Sequence, residues 1–431
     1  MATGTGPDRR RVLGGFIGLG FVGNAPAALA QTAPLNVFAH RVMQTVSTGA
    51  QGGDITRDWA QKNGTTIQWT TFDTGPLQER LFREASLGET TVDVGFLLNT
   101  QAIPRAATLF EPLDDELTRD PLEDAADIFP GLMEGMKVGG RQLAIPFRHA
   151  SSGLHYNEEL LAEKGFSKPP ATIEEVAEIA RACTYRRADG TAVVGLCMPG
   201  VTYPNVIDIA RAWDGDFITP DFKCVADQPP MLNAIKLLRE LFQAGAFPRN
   251  FATLSTEDVN VWMQTGRAAM SLQSMGRNRI YNDPQKSKFP GRIKTVAVPA
   301  TKTLAGRYDA APAKVEFWGM VIPRNSRRKD LAWSFIKAMS AKEATLKAAL
   351  NGNGPVRAST YADAGFSSSV PYAAEELKVL KVARVPLPAF DEAARAGDLF
   401  KEEAEAAVLG MKTPEEAMAS LVRRVQPLLP V

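Results

Sequence analysis

Beyond residue 30 the apolar positions switch repeatedly between a period of two and a period near 3.6, and each switch marks an element. Residues 35–39 form a short apolar run, the pattern of a buried strand, and Ile55 with Trp59 mark a helix face behind it. Within 65–72 Ile67 and Trp69 alternate inward as a second strand. Residues 75–88 carry Leu77, Leu81, Phe82 and Ala85 at helical spacing, and 92–98 is a third, nearly all-apolar strand. Strand–helix–strand–helix–strand predicts a parallel, doubly wound sheet. Ligands of such sheets sit beyond the carboxyl ends of the strands. Those ends read His40-Arg41, Asp73-Thr74 and Asn99-Thr100, polar where a purely structural end would take apolar residues or plain turn formers.

A second pattern begins at the Gly139-Gly140 turn. It predicts a short strand over 143–147, a polar small-residue crossing at 148–153, a second strand over 154–157, and a helix ending at Gly165 before Pro169-Pro170. Two strands joined by a flexible, charged crossing suit a hinge between two lobes. Thr172-Ile173-Glu174-Glu175 reads as a capping box opening a helix with Val176, Ile179, Ala180 and Cys183. Residues 193–197 read as a strand, 207–213 as a helix, and Leu232, Ile235, Leu238 and Phe242 stripe another helix closed by Gly245. A second crossing is expected at 295–299, after which 315–323 and 326–339 return to the first lobe. Ser340 to Glu343 are expected to cap the next helix, and Thr413-Pro414-Glu415-Glu416-Ala417 to open the last one.

The order Gly140-Arg141-Gln142-Leu143-Ala144-Ile145-Pro146, then Tyr156-Asn157-Glu158-Glu159-Leu160, then Pro169-Pro170-Ala171-Thr172 and Glu175 resembles the extracellular solute-binding proteins of ABC importers. The branch it resembles, family 1, is maltose-binding-protein-like and takes sugars and related polyols. Trp262 to Met270, Asn351 to Arg357 and Thr413 to Ala417 extend the resemblance, so that landmarks run from about Leu35 to Leu429. The resemblance implies an α/β fold of the periplasmic binding protein type II class, two doubly wound lobes joined by a multi-strand hinge. It places 31–150 with 299–343 in an N-terminal lobe and 151–298 with 344–431 in a C-terminal lobe. It further implies capture of a sugar-like solute by hinge closure, delivery to a membrane permease, and no cofactor.

Composition agrees with two lobes. The chain has 431 residues, 45% hydrophobic and 23% charged, enough for about two to three domains and too polar for a membrane bundle. A net charge of +1 with no basic face argues against nucleic acid as a partner. Arg9-Arg10-Arg11-Val12-Leu13, an uncharged apolar run over 14–29 and Ala28-Leu29-Ala30 read as a secretory signal over 1–30, of twin-arginine type. Gly18 to Gly23 formally fits a dinucleotide fingerprint, but no strand precedes it. With no cysteine near the cleavage pattern, a monomer free in the periplasm and without a lipid anchor is expected. Cys183, Cys197 and Cys224 match no zinc spacing; one disulfide or three buried thiols both fit.

Catalytic motifs are missing: there is no Gly-x-Ser-x-Gly, P-loop or His-Glu-x-x-His, although paired glycosidase carboxylates would leave no short signature. A secreted carbohydrate-active enzyme and a binding protein feeding a sensor or chemoreceptor are the alternatives. Asp114-Asp115-Glu116 reads as a helix start, and His155, inside a predicted strand, as a packed histidine. A saccharide is met by charge-assisted hydrogen bonds and aromatic planes. The expected ligand-binding set is therefore His40, Asp73, Asn99, Arg148, His149, Tyr203, Trp213, Ser274, Arg277, Trp318 and Arg357, with Trp59 and Trp69 assigned to the core. Where maltodextrin-binding relatives carry aromatic platforms, this chain has Leu97, Gly276 and Ala396-Gly397-Asp398, which disfavours long glucans. Arg148 and Arg277 together bring acidic sugars, sugar phosphates and sulfonated sugars into consideration.

Overall fold

A computed structural model describes residues 33–304 and 306–430; the expected signal over 1–30 lies outside the described residues. Its strands are β1 (Leu35–His40), β2 (Ile67–Phe72), β3 (Val94–Leu98), β4 (Lys137–Val138), β5 (Arg141–Gln142), β6 (Ile145–Asn157), β7 (Tyr185–Arg186), β8 (Ala192–Cys197), β9 (Ala268–Ser274), β10 (Ile293–Ala297) and β11 (Val315–Val321). Nine of them join in the order β2-β1-β3-β11-β6-β9-β8-β7, with β10 also paired to β6. As expected, β1 lies parallel to β2 and β3. β11 returns antiparallel to β3, so the parallel sheet closes on an antiparallel strand.

The hinge differs from its sequence expectation. In place of two strands and a loose polar crossing, β6 is one unbroken strand of 13 residues. Partners flank it throughout: residues 145–151 pair with β11, then 152–156 pair with β9 while 153–157 pair with β10. Small residues at 150–153 make this possible, because neighbours approach closely there. A Cβ on Gly153 would lie 2.6 Å from Met275 and 3.0 Å from the Val296 carbonyl. The polar run looked like a loop because ladder partners far along the chain are invisible locally.

Two apolar cores flank β6. One gathers Val37, Phe96, Phe147, Phe317 and Phe335; the other gathers Leu154, Leu196, Phe217, Leu238, Met270 and Phe400. Their membership shifts the expected lobe limits. Val298, Ala310, Ala311 and Ala313 pack in the second core, whereas Ala344, Ala348, Val356, Tyr361 and Phe366 pack in the first. The second crossing therefore falls at about Lys314 rather than 295–299, since β10 pairs entirely with the second-lobe half of β6. The third falls near Arg384, which bridges to Lys314, rather than at 343. Helix Lys342–Leu350 stays with the first lobe, where Asn351 just beyond its end donates to the Val46 and Gly53 carbonyls.

Caps follow the sequence with two exceptions. Thr413 and Glu416 form a complete capping box. Thr172 accepts from the Glu175 amide, but Glu175 returns its bond to Ala171, leaving half a box. Ser340 terminates helix Lys329–Met339, donating to the Ile336 carbonyl, and does not cap the next helix. Asp114, Asp115 and Glu116 occupy the first turn of Asp114–Arg119, where carboxylates suit the helix dipole. All three cysteines are free and buried. His155 is packed as expected, held by Thr295 Oγ1 at 2.6 Å and the Ser274 carbonyl at 3.1 Å, and burial takes its pKa down to about 4. Trp59 is buried and Trp69 half-buried against the first core.

Candidate functional site

The face of the central strands fixes which residues can meet a ligand. Residues directly opposite on neighbouring strands project to the same side. Leu98, Trp318 and Arg148 lie in one such row across β3, β11 and β6, with Glu316 and Ala150 in the next row. Ser152 faces Ser274 where β6 passes to β9. The alternate residues, His149, Ser151 and Phe317, are buried on the other side. A register irregularity follows Trp318; a Cβ on Gly319 would lie 2.7 Å from that of Ala144.

His40 ends β1 beside this row, its ring centroid 6.1 Å from that of Trp318. Its Nδ1 accepts from the Val42 amide at 3.2 Å and caps the following helix. Burial lowers its pKa, Asp73 opposes this, and the Arg148 and Arg41 charges add to the lowering, so the ring is neutral at pH 7. Asp73 sits exposed at the rim, 3.8 Å from Arg41. Arg148 Nη1 donates to Asn353 Oδ1 at 3.0 Å and to the Gly352 carbonyl at 3.5 Å. Burial lowers its pKa, and Tyr372 and Glu376 act against the shift. Tyr203, half-buried against Phe217 and Phe400, has its phenol pushed up by burial and then by the Glu316 charge.

Five expected ligand residues are engaged within the protein. His149 projects behind the hinge strand, because strand alternation sends it opposite to Arg148. There its Nε2 meets Tyr361 Oη at 3.0 Å, the Tyr361 hydroxyl donates to Glu376 at 2.8 Å, and Ser151 donates to the same carboxylate at 2.7 Å. Asn99, at the end of β3, is buried with its Oδ1 accepting from the Phe317 amide at 3.1 Å, which fastens β3 to β11. Arg357 is fully buried in the first lobe. It binds Asp127 at 3.2 Å and donates to the Ser340, Asp124 and Glu123 carbonyls. Arg277 is drawn to Glu257 at 3.7 Å. Trp213 ends a 3₁₀ turn and is half-buried against the second core.

Residues not foreseen complete the cleft. Glu316 joins the Trp318 face. Tyr372 Oη lies 3.9 Å from where a Gly276 Cβ would be, so the tyrosine occupies space next to that glycine from a distant segment. Burial, then Glu376, push its phenol up, while Arg148 and Arg279 act against this. No local signal announced these residues, since each reaches the cleft through a long-range contact. Two cavities of about 600 and 570 Å³ lie elsewhere in the first lobe, near Trp69 and Trp59, and none of the eleven expected ligand residues lines them. Among the described residues no acid, histidine or cysteine cluster could hold a metal, and no helix is long and apolar enough to cross a membrane.

Known proteins of similar sequence and fold agree with this architecture. A probable ABC transporter-binding protein of Deinococcus radiodurans is 23% identical, with 81% of this chain and 82% of that one aligned. The mannitol-binding protein of Pseudomonas aeruginosa is 22% identical over 82% of this chain and 84% of its own. The structure of the sugar-binding protein MalE from Xanthomonas citri superposes with a TM-score of 0.77 at 21% identity, covering 92% of this chain and 97% of that one. This likeness establishes the periplasmic-binding-protein fold. The family model described as bacterial extracellular solute-binding protein matches residues 55–374, and the chain belongs to that family.

Proposed function

We propose that this protein captures a sugar- or polyol-like solute between its lobes and hands it unchanged to an ABC permease. The carrying observation is the row of Trp318 and Arg148 on the two central hinge strands, flanked by His40 and Glu316. An aromatic plane beside a guanidinium, an imidazole and a carboxylate suits a ligand with apolar faces and many hydroxyls. The names of relatives, a mannitol-binding protein and a sugar-binding protein, support the class. In this reading the protein performs no reaction and works as a monomer in the periplasm, free of a lipid anchor. Closure about β6, Lys314 and the segment near Arg384 buries the ligand.

A thermal-shift screen of sugars, polyols, sugar acids and sugar phosphates tests the class. A ligand at 100 times its dissociation constant should add about 2.7 kcal/mol of stability. Binding should be one-to-one with the ligand recovered intact, and multiple turnovers to a product would refute the binding role. Small-angle scattering should show a smaller radius of gyration with ligand; an unchanged profile at saturation counts against closure.

Trp318→Ala is expected to weaken solute binding by ~1–3 kcal/mol, the scale of lost stacking and burial. Trp318 is only half-buried, so the melting temperature should fall little. A stability loss of ~3–5 kcal/mol with affinity unchanged would instead mark it as a core residue.

A further inference from the structure

We propose that the cleft holds a negatively charged group of its solute between Arg148 of the hinge strand and Arg279 of the second lobe. The preferred ligand is then a sugar or polyol bearing a carboxylate or phosphate. This rests on the solute-capture reading and narrows it. Both guanidiniums flank one residue, Gly352. Arg148 Nη1 lies 3.5 Å from the Gly352 carbonyl oxygen, and Arg279 Nη1 lies 3.9 Å from where a Gly352 Cβ would stand. Among the described residues beyond its chain neighbours, that nitrogen is the only atom such a Cβ would approach within 4 Å, so the glycine leaves the space beside the two cations open.

Three other buried or half-buried arginines have a counter-charge: Arg211 has Asp216, Arg357 has Asp127, and Arg277 has Glu257. Among the described residues, neither Arg148 nor Arg279 forms an ion pair, and Nε and Nη2 of Arg148 have no hydrogen-bond partner. The carboxylate acting on Arg148 through space is Glu376, whose oxygens are engaged behind the strand by Ser151 and Tyr361. Tyr372 adds a phenol that feels both arginines. Two cations without a counter-ion resist burial when lobes close, and an oxyanion relieves that cost through forked hydrogen bonds. Arg277, expected from sequence to be the second cation, is replaced in this role by Arg279, which stands two residues on and is exposed.

Isothermal titration of three matched pairs tests the proposal: glucose with glucuronate, glucose with glucose 6-phosphate, and glucitol with gluconate. The anionic member should bind about tenfold or more tightly than its neutral partner, and Arg279→Gln should abolish that preference by weakening the anionic member about tenfold or more. The carboxylate and phosphate arms tell which anion is meant. Melting temperature confirms that the variant is folded, as expected for an exposed, unpaired side chain. Neutral members binding as tightly as the anionic ones would overturn the anion site and leave solute capture standing. An anionic preference untouched by Arg279→Gln also overturns it. If the pairs are silent, the full screen decides: a neutral sugar or polyol hit overturns the anion site alone, an anionic hit sensitive to Arg279→Gln supports it, and a wholly silent screen counts against both readings.

Discussion

Arg357→Met is expected to lower the unfolding free energy by ~3–5 kcal/mol, the scale for breaking a buried ion pair from one side. The guanidinium is fully buried, and its loss would leave Asp127 without its cation and three carbonyls, of Ser340, Asp124 and Glu123, without their donor. Methionine fills part of the volume but donates nothing. Solute affinity of the folded variant should be unchanged, since the arginine ties the 340 turn and the 123–127 segment together inside the first lobe. The pH dependence carries a definite sign. Burial pushes Asp127 up, but hydrogen bonds from the Ser359 hydroxyl and amide, and then from Arg357, outweigh this and hold its pKa below the usual value. A carboxylate depressed on folding contributes stability that is fully present above its unfolded pKa of about 3.9 and is lost as pH falls through the folded value. Wild type and variant should therefore differ most above about pH 5 and converge in acid. Chemical unfolding at several pH values, with ligand titration at neutral pH, measures both parts. A variant of wild-type stability that fails to bind would return Arg357 to the ligand site.

Asp216→Asn should destabilise by a similar ~3–5 kcal/mol, and it acts at the hinge. Asp216 Oδ1 accepts from Arg211 Nε at 3.0 Å and Nη2 at 2.8 Å, while its Oδ2 accepts from Arg384 Nη1 at 2.7 Å. Arg211 is 2% exposed and also donates to the Arg384 and Val385 carbonyls, so this cluster fastens the third crossing to the second lobe. Asparagine keeps the shape but removes the charge, leaving two neighbouring guanidiniums with Asp214 as the remaining partner of Arg384. Thermal unfolding should show the loss, and scattering should show a more expanded unliganded form as the crossing loosens. A variant with the wild-type melting temperature and radius would mean that the cluster is solvated and energetically idle.

Particular residues show how far the sequence could be read. Val37, Phe96, Leu196 and Leu238 announce their burial by period alone, and the capping box at Thr413 announces a helix start, because these signals act within a few residues. Resemblance at residues 140–175 supplied the lobed plan and the hinge position. The faces of the hinge were harder to read. Treating 148–153 as loop put His149 and Arg148 together in the cleft, whereas a continuous strand separates them to opposite faces. Arg357 and Arg277 had the right residue type for a binding loop, and distant carboxylates, Asp127 and Glu257, claimed them. Tyr372 beside Gly276 and Arg279 beside Gly352 carried no local mark.

By itself, then, the sequence determined the α/β class, the order of the first strands and helices, and the place of the first crossing between lobes, and it named Trp318 and Arg148 as candidate residues beside it. Those properties rest on local periodicity, turn chemistry and contiguous motifs. Tertiary structure alone decided that β6 is unbroken, that 310–313 and 344–366 pack with the cores opposite to expectation, and which arginines keep a counter-charge. Much of this depends on partners more than a hundred residues apart, such as Ser152 with Ser274, Arg148 with Asn353 or Arg357 with Asp127. Hydrogen-bond and charge satisfaction in a folded chain is a property of proximity in space, and one-dimensional order does not carry it.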